Sequence, residues 1–225
     1  DVYLYENNIP VDTLERITPF LGYPNELTNY KSTHLAQVGR NYRLEVETAE
    51  HGMAYGKNTI PEKPEISLLQ IDTEKDVAYF RIKDNPNTKD YYLIDFRWDS
   101  EQETRVIYQR TDDPTVEILY GTNDIFTDLD FRTGYISVLN DDTFNGKIKN
   151  VSVGYFADED LAQTTKVRLI IKHITHDFYQ HELSKAAQLG ADETILASPA
   201  SLHSNVTNGY GVVIGSADST VTFTP

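Results

Sequence analysis

Tyr91-Tyr92-Leu93-Ile94-Asp95-Phe96-Arg97-Trp98 alternates in steps of two. Tyr92, Ile94, Phe96 and Trp98 fall on one side of an extended chain. Leu93, Asp95 and Arg97 fall on the other, a more polar side. The same rhythm runs outward in both directions. Tyr42-Arg43-Leu44-Glu45-Val46-Glu47 puts apolar groups on one face and charges on the other, and Val151, Val153 and Tyr155 repeat the pattern. Val167-Arg168-Leu169-Ile170-Ile171 is apolar enough to be a central strand. Fifteen tyrosines and plentiful Val, Ile and Thr suit pleated, half-buried surfaces. The expected class is mainly β, with two immunoglobulin-like β-sandwich domains.

The pattern breaks between Lys57 and Pro64, where Pro61 and Pro64 flank Glu62 and Lys63. Prolines cannot donate to a ladder, so this stretch reads as a linker and the domain boundary is placed there. Residues 1–60 then form a partial immunoglobulin-like sandwich lacking its first strands. Residues 61–225 form a larger sandwich. One short helix is expected near the carboxyl end, over 176–189. Thr175 or Asp177 caps its start, Tyr179, Leu183, Ala186 and Ala187 make its apolar stripe, and Gly190 stops it. Its expected place is across an edge or mouth of the sandwich.

The 225 residues carry a formal net charge of −15. So acidic a surface repels phosphate backbones and anionic headgroups, which argues against nucleic acid and against direct attachment to lipid. No stretch approaches the roughly 20 apolar residues that span a bilayer. Cysteine is absent, which removes disulfides, thiolate metal sites and cysteine nucleophiles from this segment. The chain opens at Asp1 without a leader and reads as a processed amino end.

Catalytic patterns are not found. His176 and His181 are five apart, whereas a zinc helix presents histidines four apart. His173 and His176 straddle a strand-to-helix junction, and His34, His51 and His203 lie in no ligand spacing. Asp124, Asp128 and Asp130 could offer oxygens to calcium, but the spacing is not an EF-hand and the turn glycine is missing. Gly209-Tyr210-Gly211 is followed by a strand pattern, where a dinucleotide site requires a helix. No cofactor and no enzyme activity are expected. A hydrolase with carboxylates unrecognisable in sequence is the remote alternative.

The carboxyl third carries a more specific order. An apolar strand leads into Ile174-Thr175-His176-Asp177-Phe178-Tyr179 and the helix. A segment containing Ser198-Pro199 follows, then Ser204-Asn205-Val206-Thr207-Asn208-Gly209-Tyr210-Gly211. Upstream stand Gly39-Arg40-Asn41-Tyr42-Arg43-Leu44 and Asp142-Thr143-Phe144-Asn145-Gly146-Lys147. This order resembles the domain of unknown function 4249 family of Bacteroidota lipoproteins. Val206 stands where that family usually has isoleucine, and Val213-Ile214 where a phenylalanine is common. The matching residues have turn chemistry: Asn145-Gly146 and Asn208-Gly209 suit positive φ, Asn205 suits an Asx bond, and Gly211 completes a Gly-x-Gly turn.

The resemblance implies a place and a company. The expected setting is the extracellular face of the outer membrane, with a lipid anchor upstream of this chain. The expected partner is an outer-membrane β-barrel, a TonB-dependent transporter, with a small ligand or glycan possible. The expected role is a non-enzymatic accessory or binding subunit, the alternative a free-standing carbohydrate- or peptide-binding module. Asp12-Thr13-Leu14 and Asp218-Ser219-Thr220 also resemble an O-glycosylation sequon.

Overall fold

The computed structural model describes residues 1–17, 29–99, 104–121, 132–156, 166–192 and 201–224. In chain order the strands are β1 (Val2–Glu6), β2 (Ile9–Thr13), β3 (Glu15–Ile17), β4 (Asn29–Lys31), β5 (Asn41–Thr48), β6 (Gly52–Thr59), β7 (Glu65–Asp72), β8 (Val77–Lys83) and β9 (Tyr91–Asp99). They continue with β10 (Thr104–Val106), β11 (Gln109–Thr111), β12 (Glu117–Leu119), β13 (Arg132–Gly134), β14 (Ile136–Asn140), β15 (Ile148–Tyr155) and β16 (Lys166–Ile174). Helix α1 (His176–Asp192), β17 (Val206–Thr207) and β18 (Ser216–Phe223) complete the order. The protein is mainly β, built of antiparallel sheets with one helix near the carboxyl end, as the alternation predicts.

The opening stretch, β9, lies at the middle of a central sheet ordered β12-β14-β9-β16-β18, with β10 also on β9. Its inward residues Tyr92, Ile94 and Phe96 meet Val167, Leu169 and Ile171 of β16 along the same face. A second sheet, β13-β11-β15-β8-β7, packs on that face with Phe80, Ile82, Val151, Val153 and Tyr155. This is the sandwich and its core.

The other face of β9 is not the polar surface expected from Asp95 and Arg97. Leu93 is buried with Leu119, Val138, Ile174 and Tyr179, because α1 lies over it. Asp95 is buried too, its Oδ2 accepting a bond from Arg97 Nε at 2.8 Å. The larger unit therefore has three layers: sheet, sheet, helix. Covering a side chain the size of Leu93 or Tyr179 is worth about 1.5–3 kcal/mol.

This also corrects the helix. It packs across a sheet face and not at an edge, since its stripe of Phe178, Tyr179, Leu183 and Ala186 meets the apolar outer residues of the central sheet. Ala187 is exposed, and Glu182 is buried in its stead, accepting from Tyr120 Oη at 2.5 Å. Gly190 does not stop the helix, which runs to Asp192 without a left-handed turn there. The Thr175 carbonyl accepts the first helical bond, from Tyr179 N–H at 3.0 Å, while its hydroxyl accepts Gly215 N–H at 3.3 Å. No helix among the described residues is long and apolar enough to cross a membrane.

The amino-terminal unit is a sheet ordered β17-β6-β5-β1-β2, beside a ribbon of β3 and β4. One face of that sheet is covered by chain segments. His34 lies against the Tyr42 ring and Gln37 N–H bonds to Tyr42 Oη at 2.9 Å. Val206 and Val213 approach Gly56. A cut between residues 60 and 61 does not separate the sheets, because Val206–Thr207 pairs with Gly56 and Tyr55 of β6. The carboxyl segment returns to the first sheet because Asn58 binds the Val213 carbonyl at 2.8 Å and Asp177 at 3.1 Å.

Candidate binding cleft

Four pieces of chain meet where the first sheet joins the sandwich. They are the crossing at residues 60–64, the β8–β9 loop at 84–90, the β14–β15 turn at 141–147, and the passage from β16 into α1. Between the first, second and fourth of these opens a cavity of about 750 Å³, and the β14–β15 turn packs behind Asp84 and Asp90. The cavity lining includes Asn58, Glu62, Lys89, Tyr91, His173 and Asp177.

The floor is acidic. Asp84, Asp90 and Asp141 are all buried, with one carboxylate oxygen from each within 4.8 Å of the others. Strand geometry explains the meeting: β9 begins just after Asp90 and pairs with the end of β14, so Asp90 and Asp141 exchange bonds through their backbone and side chain. Asp90 N–H donates to Asp141 Oδ2 at 3.0 Å, and Asp141 N–H to the Asp90 carbonyl at 3.2 Å. Asp84 accepts from Tyr92 Oη and from Gly146 N–H, each at 2.8 Å.

Two basic side chains answer the three acids. Lys89 Nζ stands 2.5 Å from Asp141 Oδ1 and 2.5 Å from Asp142 Oδ1. His173 Nε2 lies 3.2 Å from Asp90 Oδ1, and its Nδ1 donates to the Glu62 carbonyl at 2.8 Å. Burial raises the Asp84 pKa, eased by Gly146 and Tyr92 and reinforced by the charges of Asp90 and Asp141. Burial also works against Asp90, yet bonds from His173 and Thr88 outweigh it and hold that carboxyl below the usual range. For His173 burial opposes the charge, and Asp90 with the Glu62 carbonyl outweighs it, so its pKa is raised. The Lys89 ammonium and the His173 ring thus face the acidic cluster, which is answered by the chain's own groups.

The rim is aromatic and mixed in charge. The Tyr91 ring contacts His176 at 5.2 Å and Tyr179 at 4.9 Å, with Lys89 Nζ 5.7 Å from its centroid. Lys83 pairs with Glu65 at 2.9 Å. Beyond the cleft, His203 Nε2 meets Asp177 Oδ1 at 2.8 Å. The nearby Ser184 Oγ donates to the His181 carbonyl and accepts His203 N–H, both at 2.9 Å, so it is spent on backbone. A nucleophilic serine would instead point at the imidazole.

The residues singled out from sequence divide into three groups. Asp124, Asp128 and Asp130 lie outside the described residues. Asn205, Asn208, Gly209 and Gly211 build the loop that docks on the first sheet. Asn205 Oδ1 accepts Val213 N–H at 2.8 Å and its Nδ2 donates to the Val213 carbonyl at 2.9 Å, a bridge across eight positions in place of the local Asx bond. The positive φ of the Asn208-Gly209 pair belongs to Asn208 (57°) and not to Gly209, and Gly211 takes a φ of 133°. Asn145 and Gly146 form the turn under the cleft, Asn145 N–H reaching the Asp141 carbonyl at 2.8 Å. Gly146 has a φ of 70°, and a Cβ there would lie 2.7 Å from Pro86 Cβ, so only glycine brings its N–H to Asp84.

Sequence reading missed Asp84, Asp90, Asp141 and His173 as a group. Among the signature residues, Asn145 and Gly146 touch them, through Asp141 and Asp84.

The family model described as Domain of unknown function (DUF4249) matches residues 1–222. The chain belongs to that family. No curated protein and no solved structure matches it. In this DUF4249 member, then, the Phe-Asn-Gly-Lys turn and the carboxyl Asn-x-x-Asn-Gly segment mark two places where distant strands are tied together, the first behind the cleft and the second on the first sheet.

Proposed function

We propose that the protein is a non-enzymatic binding subunit of an outer-membrane β-barrel assembly of the TonB-dependent kind. It is held at the extracellular face by lipid attached upstream of this chain, and the cleft is its ligand-facing surface. The observation that carries the reading is the state of the cleft's deepest groups. Asp84, Asp90, Asp141, Lys89 and His173 are engaged with one another and with backbone, which leaves walls for binding and no acid or base held ready for a reacting atom. The mainly β fold and the family membership are compatible with the setting.

The test is affinity purification of the tagged full-length protein from its native membrane in mild detergent. A β-barrel of transporter size should co-elute in constant ratio. Recovery as a lone monomer across detergents would sink the idea. A second reading, a free-standing module for carbohydrate or peptide, is favoured by the Tyr91–His176 rim, since aromatic faces suit sugar rings and peptide side chains alike. An array of glycans and peptides separates the two, because a purely structural partner shows no ligand preference.

A further inference from the structure

The crossing at residues 60–64 forms one wall of the cleft, and a single side chain from the sandwich holds its middle. The Glu62 carbonyl can only accept, so His173 Nδ1 must carry a proton at 2.8 Å. The other ring nitrogen, Nε2, faces the Asp90 carboxylate at 3.2 Å. If Nε2 had no proton, its lone pair would face a carboxylate inside a buried site, a repulsive arrangement. The ring is therefore seated only while a proton lies between Nε2 and Asp90. Tyr92 stacks on it at 5.3 Å and cannot swing away, being buried and bonded to Asp84.

We propose that His173 is a proton-controlled clasp that fastens the 60–64 crossing to the sandwich and so sets the width of the cleft. The groups that act on it come from three sides: the Asp90 carboxylate just before β9, the Asp84 carboxyl from the β8–β9 loop, and the backbone carbonyl of Glu62 from the crossing itself. On the fourth side β18 presents Ala217, which carries no charge. When the Nε2 proton leaves for solvent, Asp90 keeps its negative charge and the pair turns from attraction to repulsion. The ring must then rotate, and the Nδ1–H bond to the Glu62 carbonyl is lost with it. The crossing is then held at its ends, by the Ile60 backbone bonds to Gly39 and Arg40 and by the Ser219 hydroxyl donating to the Pro64 carbonyl at 2.9 Å, and its middle is released. The functional consequence, a cleft that is narrow at low pH and wider at high pH, rests on the reading of the cleft as a ligand site. The clasp itself does not.

The experiment is an NMR titration of the full chain without ligand. It follows the His173 ring protons and the backbone amides of Glu62 and Lys63. The expected result is one shared midpoint above the ordinary histidine value. In His173→Asn, whose amide Nδ2 takes the place of Nδ1 and donates to the Glu62 carbonyl without titrating, the Glu62 and Lys63 signals should stay at their low-pH positions across that range. In Asp90→Asn the His173 midpoint should fall. A His173 midpoint at the ordinary value, or crossing amides that do not follow it in the wild type, overturns the proposal. The wild-type titration decides even if a variant fails to fold. A clasp that titrates as expected in a protein that binds nothing would leave this inference standing while the binding reading fell.

Discussion

Two aspartate–histidine pairs sit within one stretch of this fold, and they do different work. His173–Asp90 is nearly closed to solvent, with side chains 14% and 3% exposed, whereas His203–Asp177 is open at 29% and 30%. The open pair is also the shorter, at 2.8 Å against 3.2 Å. Distance is thus a poor guide to consequence. In the closed pair, losing one partner strands a charge in a site that water cannot repair, while in the open pair solvent takes the place of the partner.

The sharpest way to break the contrast is to remove one carboxylate from each pair. Asp90→Ala should cost about 3 kcal/mol in urea unfolding, since it leaves His173 and Thr88 without their carboxylate acceptor. Asp177→Asn should cost about 1 kcal/mol or less, and added salt should shrink that cost. Equal losses would erase the distinction. Gly146→Ala should fall between them at about 2 kcal/mol, from its positive φ and the approach to Pro86.

The pairs should also oppose each other in pH dependence. His173 has a raised pKa, so its contribution is complete below the unfolded histidine value and fades as pH rises through the folded value. Asp177 has a lowered pKa: burial pulls upward, but Asn205 and His203 outweigh it. Its contribution is present above the unfolded aspartate value and fades as pH falls through the folded one. Thermal unfolding of His173→Gln should therefore lose the wild type's decline at neutral to alkaline pH and keep the acid limb. The smallest effect is expected of Asp84→Asn. Its raised pKa makes the charged form a cost at neutral pH, so the amide should leave stability within about 1 kcal/mol of wild type or improve it. A large loss would mean that Asp84 is charged in the folded protein.

The same division between near and distant partners separates what the sequence reveals from what it hides. Alternation in β9 put Tyr92, Ile94 and Phe96 in the core, because a strand's two faces are fixed by its own backbone. It could not say what covers the second face. Leu93 and Asp95 are buried there by a helix some eighty positions later and by an adjacent arginine. Turn chemistry at Asn145-Gly146 was likewise legible, being local. The acids of the cleft were not. Asp84 meets Gly146 across 62 positions, Asp90 meets Asp141 across 51, and His173 meets Glu62 across 111. In a chain this rich in carboxylates, nothing local distinguishes those three from the solvated rest.

The strand β17 has one more implication, for the order in which the molecule is made. The first sheet leaves the ribosome early, yet the edge of β6 waits for residues 206–207, and Lys57 for Asn205, 148 positions downstream. Until then β6 keeps a row of amides and carbonyls without neighbours, the kind of margin that recruits stray strands. The late strand thus closes a seam that the earlier one leaves open.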